Sequence, residues 1–190
     1  KATVEMYSTN DWRTKIYLDP KDMKCQDQKA SNVALFNKFL NNPNLGKKGD
    51  SKYAQYSLPK LFRIAETYLI AAEAAYRLNN VAKAQQYLNA LRTKRGLLAT
   101  SETGESLAKE IRMEWKREFM GEGMYFHVLK RWGLGFQRDA TPQTGAANIV
   151  YSANASANIG LTVEPTFHDN WTFDIPTQEK EMNPNVELFD

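Results

Sequence analysis

Apolar residues fall at Leu61, Ala65, Tyr68, Leu69, Ala72, Ala75 and Tyr76. Steps of three and four draw one stripe along a helix. Pro59 precedes the run, where a helix start tolerates proline. The pattern breaks at Leu78-Asn79-Asn80-Val81, resumes at Ala84, Tyr87, Leu88 and Leu91, and stops at Gly96, a candidate C-cap. A link this short forces the two helices to lie antiparallel as an αα-hairpin. The hairpin restricts the fold more than any other feature, because its apolar surface must be covered by something else.

Residues 65–98 span about the 34 residues of one tetratricopeptide unit. In that frame the small positions fall on Ala72 and Ala84, which lets the helix backbones approach closely. The larger positions fall on Tyr68, Leu88 and Leu91. No second copy of the period is visible, and a single unit cannot bury its outer face alone. A third helix is expected from about Ser106, with Ile111, Trp115 and Phe119 at i, i+4 and i+8. Gly121 and Gly123 interrupt it. Tyr125-Phe126, Leu129 and Trp132 then resume an apolar face up to Gly133.

The flanks read differently. Lys15-Ile16-Tyr17-Leu18, ended by Asp19-Pro20, reads as a strand or extended arm. Residues 21–60 are polar, with turn signals at Asn41-Asn42-Pro43-Asn44 and Gly46-Lys47-Lys48-Gly49-Asp50, and read as loop-rich. From Leu134 to Asn170 the chain turns to Ala, Asn, Thr, Ser and Gly, the composition of a long functional loop. Thr177, followed by an acidic stretch, is a candidate N-cap for one short terminal helix.

The chain has 190 residues, 42% of them hydrophobic, enough for one sizeable core. Basic residues exceed acidic ones by 25 to 22, too small and too evenly spread a surplus for nucleic-acid binding. No apolar run reaches the ~18 residues of a membrane-spanning helix. No signal peptide is recognisable, and residue 1 is Lys, so a processed chain or a piece of a longer one is expected. Cys25 stands alone, which excludes an internal disulfide and a Cys-rich metal site.

Candidate chemistry is sparse. Glu114, Glu118 and Glu122 share a helix face. They read either as a carboxylate site or, as favoured here, as a charge ladder with Arg112, Lys116 and Arg117. Glu66 and Glu73 read either as catalytic carboxylates or, as favoured here, as half-buried carboxylates bonded to Arg63, Arg77 or the neighbouring helix. His127 reads as a satisfied core histidine. His168-Asp169 has no Gly-x-Ser-x-Gly nucleophile turn to complete a triad. Neither histidine has the Glu three residues before it that a di-metal bundle uses, so no metal, cofactor or catalytic residue is assigned. Asn154-Ala155-Ser156 is a glycosylation sequon. Tyr, Phe and Trp together number 22, from counts of 9, 9 and 4, which raises the question of whether all are core. Tyr151 and Trp171, set among polar residues, could stack on a sugar ring or pin the loop to the core.

Several runs together resemble one family. Arg63-Ile64-Ala65-Glu66-Thr67-Tyr68-Leu69-Ile70-Ala71-Ala72-Glu73-Ala74 is similar to the Arg-x-Ala-Glu-x-Tyr-Leu-x-x-Ala-Glu-Ala signature of SusD/RagB-type nutrient-binding proteins. Ala84, Leu88-Asn89-Ala90-Leu91-Arg92 and Gly96 resemble the helix that follows it. Arg117-Glu118-Phe119, Glu122-Gly123 and Lys130-Arg131-Trp132-Gly133 resemble a third stretch, with Tyr125 and Val128 departing from its usual Arg and Asp. Phe173-Asp174-Ile175-Pro176 with Asn183-Pro184-Asn185 resembles the terminal motif, and Asp11-x-Arg13 echoes an upstream Asp-x-Arg.

The resemblance implies a mainly α, tetratricopeptide-like helical scaffold with long irregular loops. It implies the C-terminal part of a longer outer-membrane lipoprotein, exposed at the cell surface and attached by a lipid anchor outside this chain. Such a protein binds glycans or other nutrients without catalysis and works with a SusC-like TonB-dependent transporter. The expected organisation is a loop-rich segment over 1–60 and a family-like region over 61–190. The latter divides into the hairpin 61–98, helices within 106–133, the long loop 134–172 and a terminal segment 173–190. The candidate ligand contacts are Tyr151 and Trp171 as flat groups, with Arg138, Asn154 and Asn158 bonding hydroxyls. The alternative is a tetratricopeptide-type protein-interaction scaffold without sugar binding.

Overall fold

Two antiparallel helices form over most of the apolar stripe, α2 (Ile64–Arg77) and α3 (Val81–Thr93), while its first residue, Leu61, precedes α2 and is 80% exposed. Before them come a short helix α1 (Arg13–Tyr17) and a hairpin of β1 (Leu18–Cys25) and β2 (Gln28–Phe36). After them come α4 (Gly104–Glu118), α5 (Met124–Trp132) and a two-residue ladder of β3 (Phe136–Gln137) and β4 (Thr162–Val163). The computed structural model describes residues 6–25, 28–36, 38, 61–137, 162–164 and 181–182.

The expected small positions do close the hairpin. Ala72 and Ala84 have no exposed surface, and neither do Leu69 and Leu88. Helix α4 packs over the pair and adds Leu107, Ile111 and Trp115, spaced four apart so that one face is apolar. Val128 of α5 completes the cluster. Each large aliphatic side chain fully buried in this way contributes roughly 1.5–3 kcal/mol relative to exposure.

The helix ends are closed by backbone geometry. After α2, Asn80 N–H bonds the Ala75 carbonyl and Asn79 N–H that of Tyr76, with Asn79 at φ 57°. After α3, Leu97 N–H bonds Arg92 and Gly96 N–H bonds Thr93, with Gly96 at φ 80°. Both satisfy carbonyls that a helix otherwise leaves orphaned, in the Schellman pattern. Gly96 has a second duty, because a Cβ there would lie 2.5 Å from the Asn10 carbonyl oxygen. Its missing side chain lets the segment before α1 lie against the end of α3.

Four expectations need correction. Residues 13–17 are helical, and the strand begins only at Leu18. The stretch read as loop-rich contains paired strands over 18–36, with a bulge between Lys21 and Met23. Asp19-Pro20 reads locally as a turn, but a two-stranded sheet has only edge strands, which tolerate proline. Tyr68 is 37% exposed, because its ring lies at the edge of the buried stripe. The long loop also holds paired residues: Phe136 faces Val163 and Gln137 faces Thr162. Gly135 permits this approach, since a Cβ there would overlap the Val163 carbonyl oxygen. Residues 181–182 are helical, while Thr177 lies outside the described residues.

Replacing Ala72 by Leu forces extra methyl groups between two helices already in contact. The variant should lose roughly 1–3 kcal/mol of stability, read by urea denaturation followed by circular dichroism.

Candidate functional site

A chain of charged groups runs through the core beside α4. Asp11 is fully buried and accepts three hydrogen bonds from Arg13: backbone N–H at 3.0 Å, Nε at 2.9 Å and Nη2 at 2.7 Å. Spacing of two residues makes this local fork possible. Arg13, 1% exposed, then reaches α4. Its Nη1 lies 2.7 Å from Glu114 Oε1 and 3.1 Å from Glu118 Oε2. Glu118 also accepts from Arg95 Nε and Nη2, at 2.9 and 2.8 Å, and from Arg63. Arg63 bridges onward to Glu122, which also pairs with Lys38. Arg117 pairs with Glu114 at 3.2 Å and donates to the Met6 carbonyl, while Tyr7 donates its hydroxyl proton to the Arg117 carbonyl.

These partners decide the charge states. Burial alone would push the Glu118 carboxyl up, but Arg95, Arg63 and Arg13 hold it below the usual carboxylate value. Burial alone would pull Arg13 down, but Asp11 and Glu114 keep it above its ordinary value. Lys38 goes the other way: burial lowers it by more than Glu122 restores.

A second cluster joins α2 to α5. Glu73 is 4% exposed and accepts from Arg131 Nε and Nη2, both at 2.8 Å, and from Arg77 on its own helix. Burial is again outweighed, chiefly by Arg131, so the carboxyl lies below its ordinary value. Arg77 and Arg112 sit over the Trp132 ring, 4.5 and 4.8 Å from its centroid. Cation–π contacts of this kind hold the end of α5 onto the hairpin and α4.

The carboxylates are thus structural, but not as a solvated ladder. Of the partners expected on α4 itself, only Arg117 pairs with Glu114; Glu118 and Glu122 are met by cations from other segments. Full burial makes a solvated ladder impossible at Glu114 and Glu118. Glu66 forms no ion pair among the described residues, because Arg63 turns to Glu118 and Glu122 instead. It lines an open pocket of about 370 Å³ with Phe62, Ile64, Thr67 and Ile70. His127 is exposed, edge-on to Phe126 at 5.6 Å, and is not a core histidine. Val128 and Tyr125 use their departures from the family pattern for packing: Val128 is 1% exposed, and Tyr125 lies against the core under Lys116.

Tyr151, Trp171, Arg138, Asn154 and Asn158 lie outside the described residues, so the structure brings none of them together. No group of three or more potential metal ligands occurs among the described residues. No described helix is long and apolar enough to cross a membrane. The sequence marked Asp11-x-Arg13 only as an echo; its two-residue spacing was the one signal of the buried fork.

A hairpin closed on alanines, covered by α4 and α5 and locked by arginine–carboxylate pairs, defines a tetratricopeptide-like helical scaffold. The SusD family model matches residues 1–188, and the chain belongs to that family. Comparison with curated proteins gives no match. Among solved structures, a SusD-like carbohydrate binding protein from Bacteroides vulgatus ATCC 8482 is 25% identical at a TM-score of 0.58, over 74% of this chain and 28% of that one. A second protein from the same organism, whose name points to sugar binding, is 25% identical at a TM-score of 0.64, over 97% and 36%. A SusD superfamily protein from Bacteroides thetaiotaomicron VPI-5482 shares the fold at 24% identity and a TM-score of 0.64, over 98% and 38%. The chain therefore spans 28–38% of the length of these proteins.

Glu118→Ala leaves Arg13, Arg63 and Arg95 without their shared counter-charge. It should cost roughly 3–5 kcal/mol in urea denaturation. Glu73→Ala should cost less, because Arg77 and Arg131 are 46% and 42% exposed and can turn to water. Both carboxyls lie below their ordinary value of 4.5 in the folded chain. Their stabilisation is therefore fully present above that value and is lost as pH falls through the folded values. Stability measured from pH 7 to pH 3 should fall less steeply in Glu118→Gln than in the parent.

Proposed function

We propose that this chain is part of a non-catalytic glycan-binding protein at the outer-membrane surface, which passes its ligand to a SusC-like TonB-dependent transporter. The observation that carries the reading is the family match over residues 1–188, joined to a solved relative named as carbohydrate binding. The charge network supports the absence of catalysis. Glu114 and Glu118 are fully buried and held by arginines, so neither is open to substrate. A general acid or base must reach the proton it moves within hydrogen-bonding distance.

A second reading, a protein-interaction scaffold without sugar binding, is favoured by one feature. Leu61, Phe62, Ile64 and Ile70 are 80%, 90%, 73% and 53% exposed around the start and outer side of α2. Contiguous apolar surface of this kind marks a docking face.

The proposed ligand contacts remain Tyr151 and Trp171, with Arg138, Asn154 and Asn158. A stacked aromatic should contribute on the order of 1–2 kcal/mol. Isothermal titration of the intact protein with a glycan selected from an array should give micromolar or weaker affinity. Tyr151→Ala or Trp171→Ala should weaken it about tenfold, which is 1.4 kcal/mol. Unchanged affinity in both variants removes these two residues from the site. Binding of a protein segment but of no glycan favours the scaffold reading.

A further inference from the structure

Trp12 is the residue between Asp11 and Arg13, and nothing in the buried network uses it. Its neighbours are 0% and 1% exposed, yet Trp12 itself is 57% exposed. Large aromatic side chains ordinarily bury much of their area, and this one is held outward beside two locked residues. Among the described residues, α2 presents another exposed apolar surface. Its Phe62, Ile64 and Ile70 line one open pocket and suit packing against further apolar side chains.

The backbone under Trp12 is fixed on every side. Its N–H donates to the Arg95 carbonyl at 2.9 Å, and its own carbonyl accepts from Lys15 N–H at 3.1 Å. Asp11 N–H bonds the Ser8 carbonyl, and Thr14 N–H bonds that of Asp11. The pyrrole side of the indole rests against Gly96. A Cβ at that glycine would stand 2.7 Å from Trp12 Nε1 and 2.8 Å from Cδ1. The glycine therefore does more than close α3: it leaves the space in which the indole lies. Among the described residues the indole has no hydrogen bond, ion pair or ring partner. Ser8, Thr9, Asn10 and Lys15, near it in the chain, are exposed and polar, while Leu98, two residues after Gly96, is 84% exposed.

We infer that Trp12 is a carbohydrate-stacking platform. Its free indole surface would meet the apolar face of a pyranose ring, with Asn10 and Lys15, exposed neighbours in the chain, as partners for hydroxyls. The inference rests on the glycan-binding reading and adds to it a contact separate from residues 134–172. A platform whose backbone is already ordered loses little freedom on binding, so the stacking contact is retained as affinity. The mixed apolar patch on α2 suits a protein partner instead. A flat aromatic ring flanked in the chain by exposed polar residues suits a sugar, which presents C–H groups on one face and hydroxyls around its edge.

The test uses the intact protein, with Trp12→Ala and Trp12→Phe, against neutral gluco-, xylo-, galacto- and manno-hexaoses and an oligogalacturonate. Titration should give at least one ligand whose Kd rises roughly tenfold in Trp12→Ala and less in Trp12→Phe, which keeps a flat ring. Melting temperatures should stay near the parent's, since the side chain is largely outside the core. Acrylamide quenching should lose an accessible component in Trp12→Phe. If every glycan that binds is bound equally by parent and Trp12→Ala, the platform is overturned and the glycan-binding reading is left standing. Quenching unchanged by Trp12→Phe means that the indole is covered in the intact protein, and overturns the platform whatever the glycans do. Binding of no glycan by the parent overturns both.

Discussion

Glu118 sits wholly inside the protein, and its charge stays there only because Arg13, Arg63 and Arg95 converge on it. An ionised carboxylate in a poorly polar interior is costly without such partners. Each partner comes from a different place: the segment before the strands, the entry to α2, the end of α3. The carboxylate therefore ties the hairpin, α4 and the N-terminal segment to one point. Apolar packing alone would fix these elements less specifically, because aliphatic contacts have no direction, whereas a guanidinium fork does.

The same point places the surface features. Asp11 and Arg13 are held in the core, so the residue between them is held out. Gly96 closes α3 and, by lacking a side chain, accepts both the Asn10 backbone and the Trp12 ring. Arg63 turns inward to Glu118 and Glu122, so Glu66, three residues on, is left at the edge of the pocket on α2. Arg63 and Glu66 do not pair although they are three residues apart, because the fully buried Glu118 carboxylate draws the guanidinium inward.

The hairpin was legible because its signal is local. Steps of three and four, two small residues and a glycine stop are read within ~35 residues, and the structure places Ala72, Ala84, Leu88 and Leu91 as that reading requires. Helix α4 and the break at Gly121 were legible for the same reason. The β1–β2 hairpin was not, because Asp19-Pro20 and the polar run after it carry turn signals, and only pairing across strands makes them extended. Tyr68 lies on the stripe yet stays 37% exposed, since periodicity gives the direction of a side chain but not how far the covering element extends. The proposed contacts at Tyr151 and Trp171 were legible as composition alone.

The carboxylates show where the two levels divide. The sequence by itself determined that Glu114, Glu118 and Glu122 share one side of a helix, and that the αα-hairpin and the family motifs exist, because each depends on spacing within one element. Only the tertiary structure decided that this side faces inward, that Arg13 and Arg95 rather than Arg112 and Lys116 meet it, and that Trp12 is left in solvent between two buried residues. Those outcomes depend on which segments arrive at α4 from positions up to 105 residues away, and a pattern read along one helix contains no term for them.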